Sequence, residues 1–236
     1  MSNVRRWSFP WRPGLFALSA ACSSLWTSAQ SAAVPARPLV EIRTTLGVMV
    51  VALYNETPVH RDNFLKLARA GAYDSLLFHR AIPGFMAQGG DPESKRSKAG
   101  APLGDGGPGY TLPAEIHARL VHVRGALAAA RQPDDVNPER RSNGSQFFLV
   151  QGRAHNADDL DRVAQRNARF GQAVNYSEDQ RRAYATRGGA PHLDGAYTVF
   201  GEIVEGMEVL DAICAAPTDS NDRPLTDIRI FVRPLE

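Results

Sequence analysis

The sequence predicts a mainly β protein, an antiparallel sheet closed into a barrel and plugged by helices. Two observations carry that expectation. Short β-branched and aromatic runs bounded by Gly, Pro and Asn recur from residue 39 to 232, and helical periodicity shows once near each end of that region. A chain of 236 residues is long enough for one domain with a full core, and nothing suggests two equal halves.

The elements follow in chain order. Leu39–Thr44 and Val48–Tyr54 are β-rich runs separated by Thr45-Leu46-Gly47, which predicts a hairpin. Thr57 is a candidate cap, Pro58 suits a first helical position, and His60, Phe64, Leu67 and Ala68 recur at helical spacing until Gly71, giving a helix at about 58–70. Pro83 and Gly84 interrupt 78–89, which therefore reads as two short strands joined by a turn. Ser145–Val150, Tyr197–Ile203 and Asp227–Val232 are further strands. Met207–Ala215 is a helical run in which Cys214 suits packing rather than catalysis. Between them, 154–191 reads as a helical insertion. Leu160, Val163, Ala164, Asn167 and Phe170 form one stripe, and Ser177-Glu-Asp-Gln180 is a capping box opening a second short helix that stops at Gly188-Gly189. A solvated surface excursion is the expected role, ahead of a partner-binding arm.

Residues 1–33 have the outline of a secretory signal peptide. Arg5, Arg6 and Arg12 stand without an acid, Gly14–Trp26 is apolar, and small residues follow from Thr27 to Ala33, with cleavage sites after Ala29 or Ala33. The run is short for a membrane span. A lipid anchor on Cys22 and a twin-arginine address are weaker variants, since each lacks part of its pattern. Residues 34–38 form a linker and 39–236 the domain. Without the leader, 24 basic face 25 acidic residues and Cys214 is the lone cysteine, so an exported product, expected in the periplasm, is held by its core and not by a disulfide. Charge gives no reason to invoke nucleic acid.

Four ordered segments then converge. They are Phe78-His-Arg80-Ala-Ile-Pro-Gly-Phe85-Met86-Ala-Gln88-Gly-Gly-Asp91, Gly125-Ala-Leu-Ala-Ala-Ala130-Arg131, Ser142-Asn-Gly-Ser-Gln146-Phe147-Phe148, and His192-Leu193-Asp-Gly-Ala-Tyr197-Thr-Val-Phe-Gly201. Together they resemble the cyclophilin-type peptidyl-prolyl cis/trans isomerases, bacterial and exported in type, across 39–236. The resemblance implies an eight-stranded barrel capped by two helices and an enzyme that needs no cofactor and no metal. It implies proline-containing polypeptides as partners and a monomer that aids folding of exported proteins. Arg80 and Gln88 become the candidate catalytic residues. Phe85, Met86, Ala130, Arg131, Gln132, Gln146, Phe148, His192, Leu193 and Tyr197 become the candidate substrate-binding residues, Gln146 meeting the substrate's peptide group.

Chemistry agrees with that assignment. Rotation about a peptide bond must overcome amide resonance, a barrier of about 18–20 kcal/mol, yet breaks no covalent bond. No nucleophile is required. In the twisted transition state the prolyl nitrogen regains a lone pair, so a donor aimed there binds the transition state better than either ground state. Arginine stays charged and offers several N–H groups in one plane. A module that only holds proline segments, with the insertion as client contact, is the alternative. His79 invites an acid/base role but suits structural hydrogen bonding better, and Phe147, alternating with Phe148, should face inward. His192 stands where many eukaryotic relatives carry tryptophan, so cyclosporin binding is expected to be weak. Gly104-Asp-Gly-Gly-Pro-Gly109 matches a dinucleotide fingerprint formally, but Tyr110-Thr-Leu-Pro113 follows instead of a helix, and the stretch reads as a flexible loop. The six histidines show no metal spacing.

Overall fold

The computed structural model describes residues 36–235; the leader, Cys22 and the first linker residues lie outside them. Among the described residues, eight strands close a barrel. They are β1 (Leu39–Thr44), β2 (Gly47–Leu53), β3 (Leu76–Ile82), β4 (Met86–Gly89), β6 (Ala126–Ala129), β8 (Phe147–Val150), β9 (Val199–Glu205) and β10 (Arg229–Leu235). Their order around the barrel is β1-β10-β3-β4-β8-β6-β9-β2, antiparallel throughout. Two short strands, β5 (Thr111–Leu112) and β7 (Ser142–Asn143), pair only with each other.

Period-2 alternation gives this barrel two faces. Phe78, Ala87, Leu127, Phe147 and Leu149 join the inner core, while Met86, Ala128, Phe148 and Val150 face outward into a second cluster. Phe147 points inward as expected. Its ring meets Phe64, Tyr73 and Phe78 edge-on at 5.5, 5.7 and 6.1 Å. Helix α1 (Pro58–Arg69) adds Phe64, Leu65 and Ala68 to this interior, and α4 (Met207–Cys214) adds Val209, Leu210, Ile213 and Cys214. Burial pushes the Cys214 thiol up to about 12, which suits a packed, unreactive side chain.

Three local details differ from the sequence reading. Thr57 makes no capping hydrogen bond. Glu115, from a distant loop, takes that part. Its carboxylate accepts from the backbone of Val59 and His60 at 3.1 and 2.9 Å and from His60 Nδ1 at 2.7 Å. Burial lowers the His60 pKa, so the ring is neutral and its Nε2 accepts from Ser142 Oγ at 2.9 Å. Strand β6 has no signal in its alanine-rich sequence, because alanine is a poor strand former and only burial on both faces selects it here.

The third difference is the insertion. Helices α2 (Ala157–Arg169) and α3 (Glu178–Thr186) both open on complete capping boxes, Asn156 with Asp159 and Ser177 with Gln180. They are not a solvated excursion. Leu160, Tyr176 and Tyr184 pack with Val121 into a small core of their own. Phe170 lies beyond the buried stripe, 65% exposed at the helix C-terminus.

Candidate active site

A bulge aims the candidate donor. Strand alternation would place Arg80 on the same face as Phe78, inside the barrel. The β3–β4 register instead runs Phe78↔Gly89 and then Arg80↔Gln88, so His79 is an extra residue and the phase inverts. Phe78 and Ala81 point in, while Arg80 and Ile82 point out. The His79 ring is buried with neither nitrogen in a hydrogen bond of normal geometry, and desolvation lowers its pKa to about 4. It stays neutral and packs, rather than making the structural hydrogen bonds expected of it. Between the two strands, Pro83-Gly84 turns with Gly84 at φ +70°, a conformation that favours glycine.

Across the outer face, Arg80, Gln88, Phe148 and Ala128 stand side by side on β3, β4, β8 and β6. This row opens a cavity of about 130 Å³ lined by Arg80, Phe85, Met86, Gln88, Ala130, Arg131, Phe148, Leu193 and Tyr197. Ligand pockets for drug-sized molecules run about 300–1,000 Å³. This one suits a single small ring. Gln132 and Gln146 line an adjoining hollow of about 330 Å³ that shares Gln88, Ala130 and Arg131 with the first. His192 lines neither; it is exposed on the rim, its ring centroid 5.2 Å from that of Phe85.

The polar groups are already engaged. Arg80 is half-exposed and donates from Nε to Asp222 Oδ2 at 3.4 Å. Asp222 has a φ of 61° and accepts from the Ala81 backbone through its own carbonyl at 2.8 Å, and nothing in the sequence marked it. Gln88 does not hold the guanidinium. Its Nε2 donates to Gln146 Oε1 at 2.9 Å, and Gln146 Nε2 donates to the Gly104 and Gly106 carbonyls at 2.8 and 2.6 Å. For Gln146 to donate to a substrate peptide, one of those bonds must be given up. The glycine loop is pinned rather than flexible, because the buried Asp91 carboxylate accepts from Gly104 and Gly106 N–H on its other side. A Cβ on Gly106 would lie 2.1 Å from Asp91 Oδ1, so the residue must be glycine.

Arg131 and the insertion support the opposite wall. The Arg131 guanidinium donates to the Ala196 and Gln132 carbonyls at 2.7 and 2.8 Å, pairs with Asp134 at 2.6 Å and lies 4.5 Å from the Tyr197 ring centroid. Tyr197 stands edge-on to Phe148, and His122 stacks beneath Phe148 at 5.9 Å. Asp194 follows Leu193 directly and is 1% exposed. Its carboxylate accepts from His122 N and Nδ1 at 2.8 and 2.7 Å and from the hydroxyls of Tyr176 and Tyr184. The phenol pKa values of both tyrosines are raised, by desolvation first and then by that carboxylate. The insertion is thereby bonded to the pocket wall, which its helical periodicity did not foretell.

Known proteins similar to this chain bear the name of one enzyme class, the peptidyl-prolyl cis-trans isomerases. A family model described as cyclophilin type peptidyl-prolyl cis-trans isomerase/CLD matches residues 39–232. A putative bifunctional phosphatase/peptidyl-prolyl cis-trans isomerase of Streptococcus pyogenes is 37% identical over 82% of this chain, which spans only 37% of that longer protein. Peptidyl-prolyl cis-trans isomerase CYP18-1 of Arabidopsis thaliana is 34% identical over 81% of this chain and 91% of its own. Two crystal structures of a Cryptosporidium parvum cyclophilin type isomerase, the second in the presence of the dipeptide Ala-Pro, superpose with TM-scores of 0.61 and 0.60 at 27% identity. They cover 85% and 84% of this chain and 98% and 99% of theirs. With the barrel, the small-ring cavity and these relatives in agreement, the chain belongs to the cyclophilin-type peptidyl-prolyl cis-trans isomerase family.

Proposed function

We propose that the cavity beside Arg80 is where this isomerase turns X–Pro bonds, and that its substrates are exported polypeptides. The observation that carries the site assignment is the bulge at His79, which brings a charged fork out of the barrel to the edge of an apolar slot. Phe85, Met86, Phe148 and Leu193 receive the proline ring. Asp222 holds Arg80 through Nε, which leaves the two terminal nitrogens to donate. As the amide twists, the prolyl nitrogen becomes an acceptor and Arg80 binds it more tightly than in either planar state. Desolvation in the slot adds to this, because the planar amide is the more polar form and loses more on leaving water. Gln88, fixed by Gln146, sits opposite Arg80 and orients the substrate backbone. No proton moves, which agrees with a neutral, buried His79.

The leader outline at 1–33 supports the exported setting, where uncatalysed isomerisation over roughly tens to hundreds of seconds would limit folding. Protease-coupled turnover of a proline tetrapeptide tests the site. Arg80→Ala should lose about a hundredfold in kcat/KM, and unchanged turnover would remove Arg80 from the mechanism. Mass spectrometry of the N-terminus after secretion tests the setting; an intact leader on the mature protein would refute it.

A further inference from the structure

Of the 21 arginines among the described residues, 14 lie within ion-pair distance of an acid. Four of the seven that do not, Arg153, Arg166, Arg169 and Arg187, fall between residues 153 and 187. Two of those four converge. Arg153 and Arg166, with Arg162 and His155, surround an open hollow of about 250 Å³ completed by Asp159 and Val163. Asp159 does not neutralise it, since that carboxylate is committed to Arg162 at 2.6 Å and to the backbone of Asn156 at 3.3 Å. The hollow therefore carries free positive charge.

It is also fixed to the proline pocket. Asn167, next to Arg166, is 3% exposed and donates Nδ2 to the carbonyls of Pro191 and Asp194 at 3.1 and 3.4 Å. His155 Nε2 lies 3.3 Å from the Gly189 carbonyl. The segment gripped in this way carries Leu193 of the pocket wall and His192, whose ring packs on Phe85. The positive charge reaches that rim, where the His192 pKa is lowered first by desolvation and then by neighbours that include Arg166. The one ring that lines the hollow, His155, is 8% exposed and packs against Tyr184, so it offers no open face for a nucleobase to stack on, which favours a polypeptide over a nucleic acid.

We propose that this hollow is a second subsite, which takes an acidic side chain of the same polypeptide whose proline occupies the neighbouring pocket. The proposal rests on the isomerase reading above. It would make the enzyme prefer client segments with Asp or Glu on one side of the proline.

The test uses pairs of peptides identical except for Glu-Glu or Gln-Gln, placed before or after the proline in turn. At low salt one Glu peptide should exceed its Gln partner in kcat/KM by about three- to tenfold. That ratio should fall towards one at about 0.5 M NaCl and should be lost in the Arg153→Glu/Arg166→Glu variant, its folding checked by circular dichroism. A ratio of one at low salt for both placements, with the Gln peptides turned over normally, overturns the subsite and leaves the isomerase intact. A ratio that survives the charge reversal overturns it too. Failure to turn over any peptide removes the isomerase reading and the subsite with it. Equal turnover of both peptides, with a single-stranded oligonucleotide binding the hollow, would reassign it to nucleic acid.

Discussion

Removing the Asp194 carboxylate should loosen the pocket wall and the insertion together. Four donors converge on it: the backbone and ring N–H of His122 and the hydroxyls of Tyr176 and Tyr184. Hydrogen bonds to a charged acceptor contribute about 1.5–3 kcal/mol each, and a donor left buried without a partner costs about 1–3 kcal/mol. These bonds form one network, so their contributions do not add; Asp194→Ala should cost about 4–6 kcal/mol, close to the entire stability of many domains. Asp194→Asn keeps the shape and one acceptor while the tyrosine hydroxyls reorient, and should cost about 2–3 kcal/mol. Urea unfolding followed by far-UV circular dichroism measures both. The Asn variant, folded at low temperature, should also show a raised KM for a proline tetrapeptide, because Leu193 and Tyr197 flank the lost anchor. A loss below about 1 kcal/mol for Asp194→Ala, with KM unchanged, would refute the view that this carboxylate ties the insertion to the site.

Three further outcomes follow. The folded-state pKa of His79, about 4, lies below its unfolded value near 6.5, so the unfolded chain binds the extra proton and stability falls as pH drops through that window. Between pH 7 and pH 5 the loss should be on the order of 2 kcal/mol, with His60 and His192 adding in the same direction. Urea midpoints against pH should show this slope flattened in His79→Phe, and an equal slope in both proteins would contradict it. Gly106→Ala drives a Cβ into the buried Asp91 carboxylate and should cost about 1–3 kcal/mol while raising KM, since the displaced loop walls the adjoining hollow; unchanged thermal unfolding and KM would show the loop to be slack. Cyclosporin should inhibit weakly, because the exposed His192 packs on Phe85 and offers no indole N–H; potent inhibition in the tetrapeptide assay would contradict that.

Much of this architecture could be read from residues because local rules and the tertiary structure agreed. The β1–β2 hairpin, α1 after Pro58, the Pro83-Gly84 turn and the Ser177–Gln180 capping box of the insertion are local signals that packing left in place. The inward Phe147 followed from alternation once the resemblance had set Phe148 in the pocket. What stayed hidden depends on distance in the chain. Glu115 caps a helix that begins 57 residues before it, Asp222 meets Arg80 across 142 residues, and Asp194 gathers His122 with two tyrosines of the insertion. The bulge at His79 is also invisible in the sequence, since no local preference for an extra residue distinguishes His79 from its neighbours. Yet that bulge brings Arg80 out of the barrel.

Magnetisation exchange between the cis and trans forms of an Ala-Pro peptide tests the donor role of Arg80 most directly, because it reads bond rotation with no coupled protease. The wild-type chain should produce exchange cross-peaks at catalytic concentrations. Arg80→Lys keeps the charge but loses the planar fork held by Asp222, and should slow exchange by at least about tenfold with little change in peptide affinity. Exchange at the wild-type rate in Arg80→Lys and Arg80→Ala alike would show that the slot works without a directed donor.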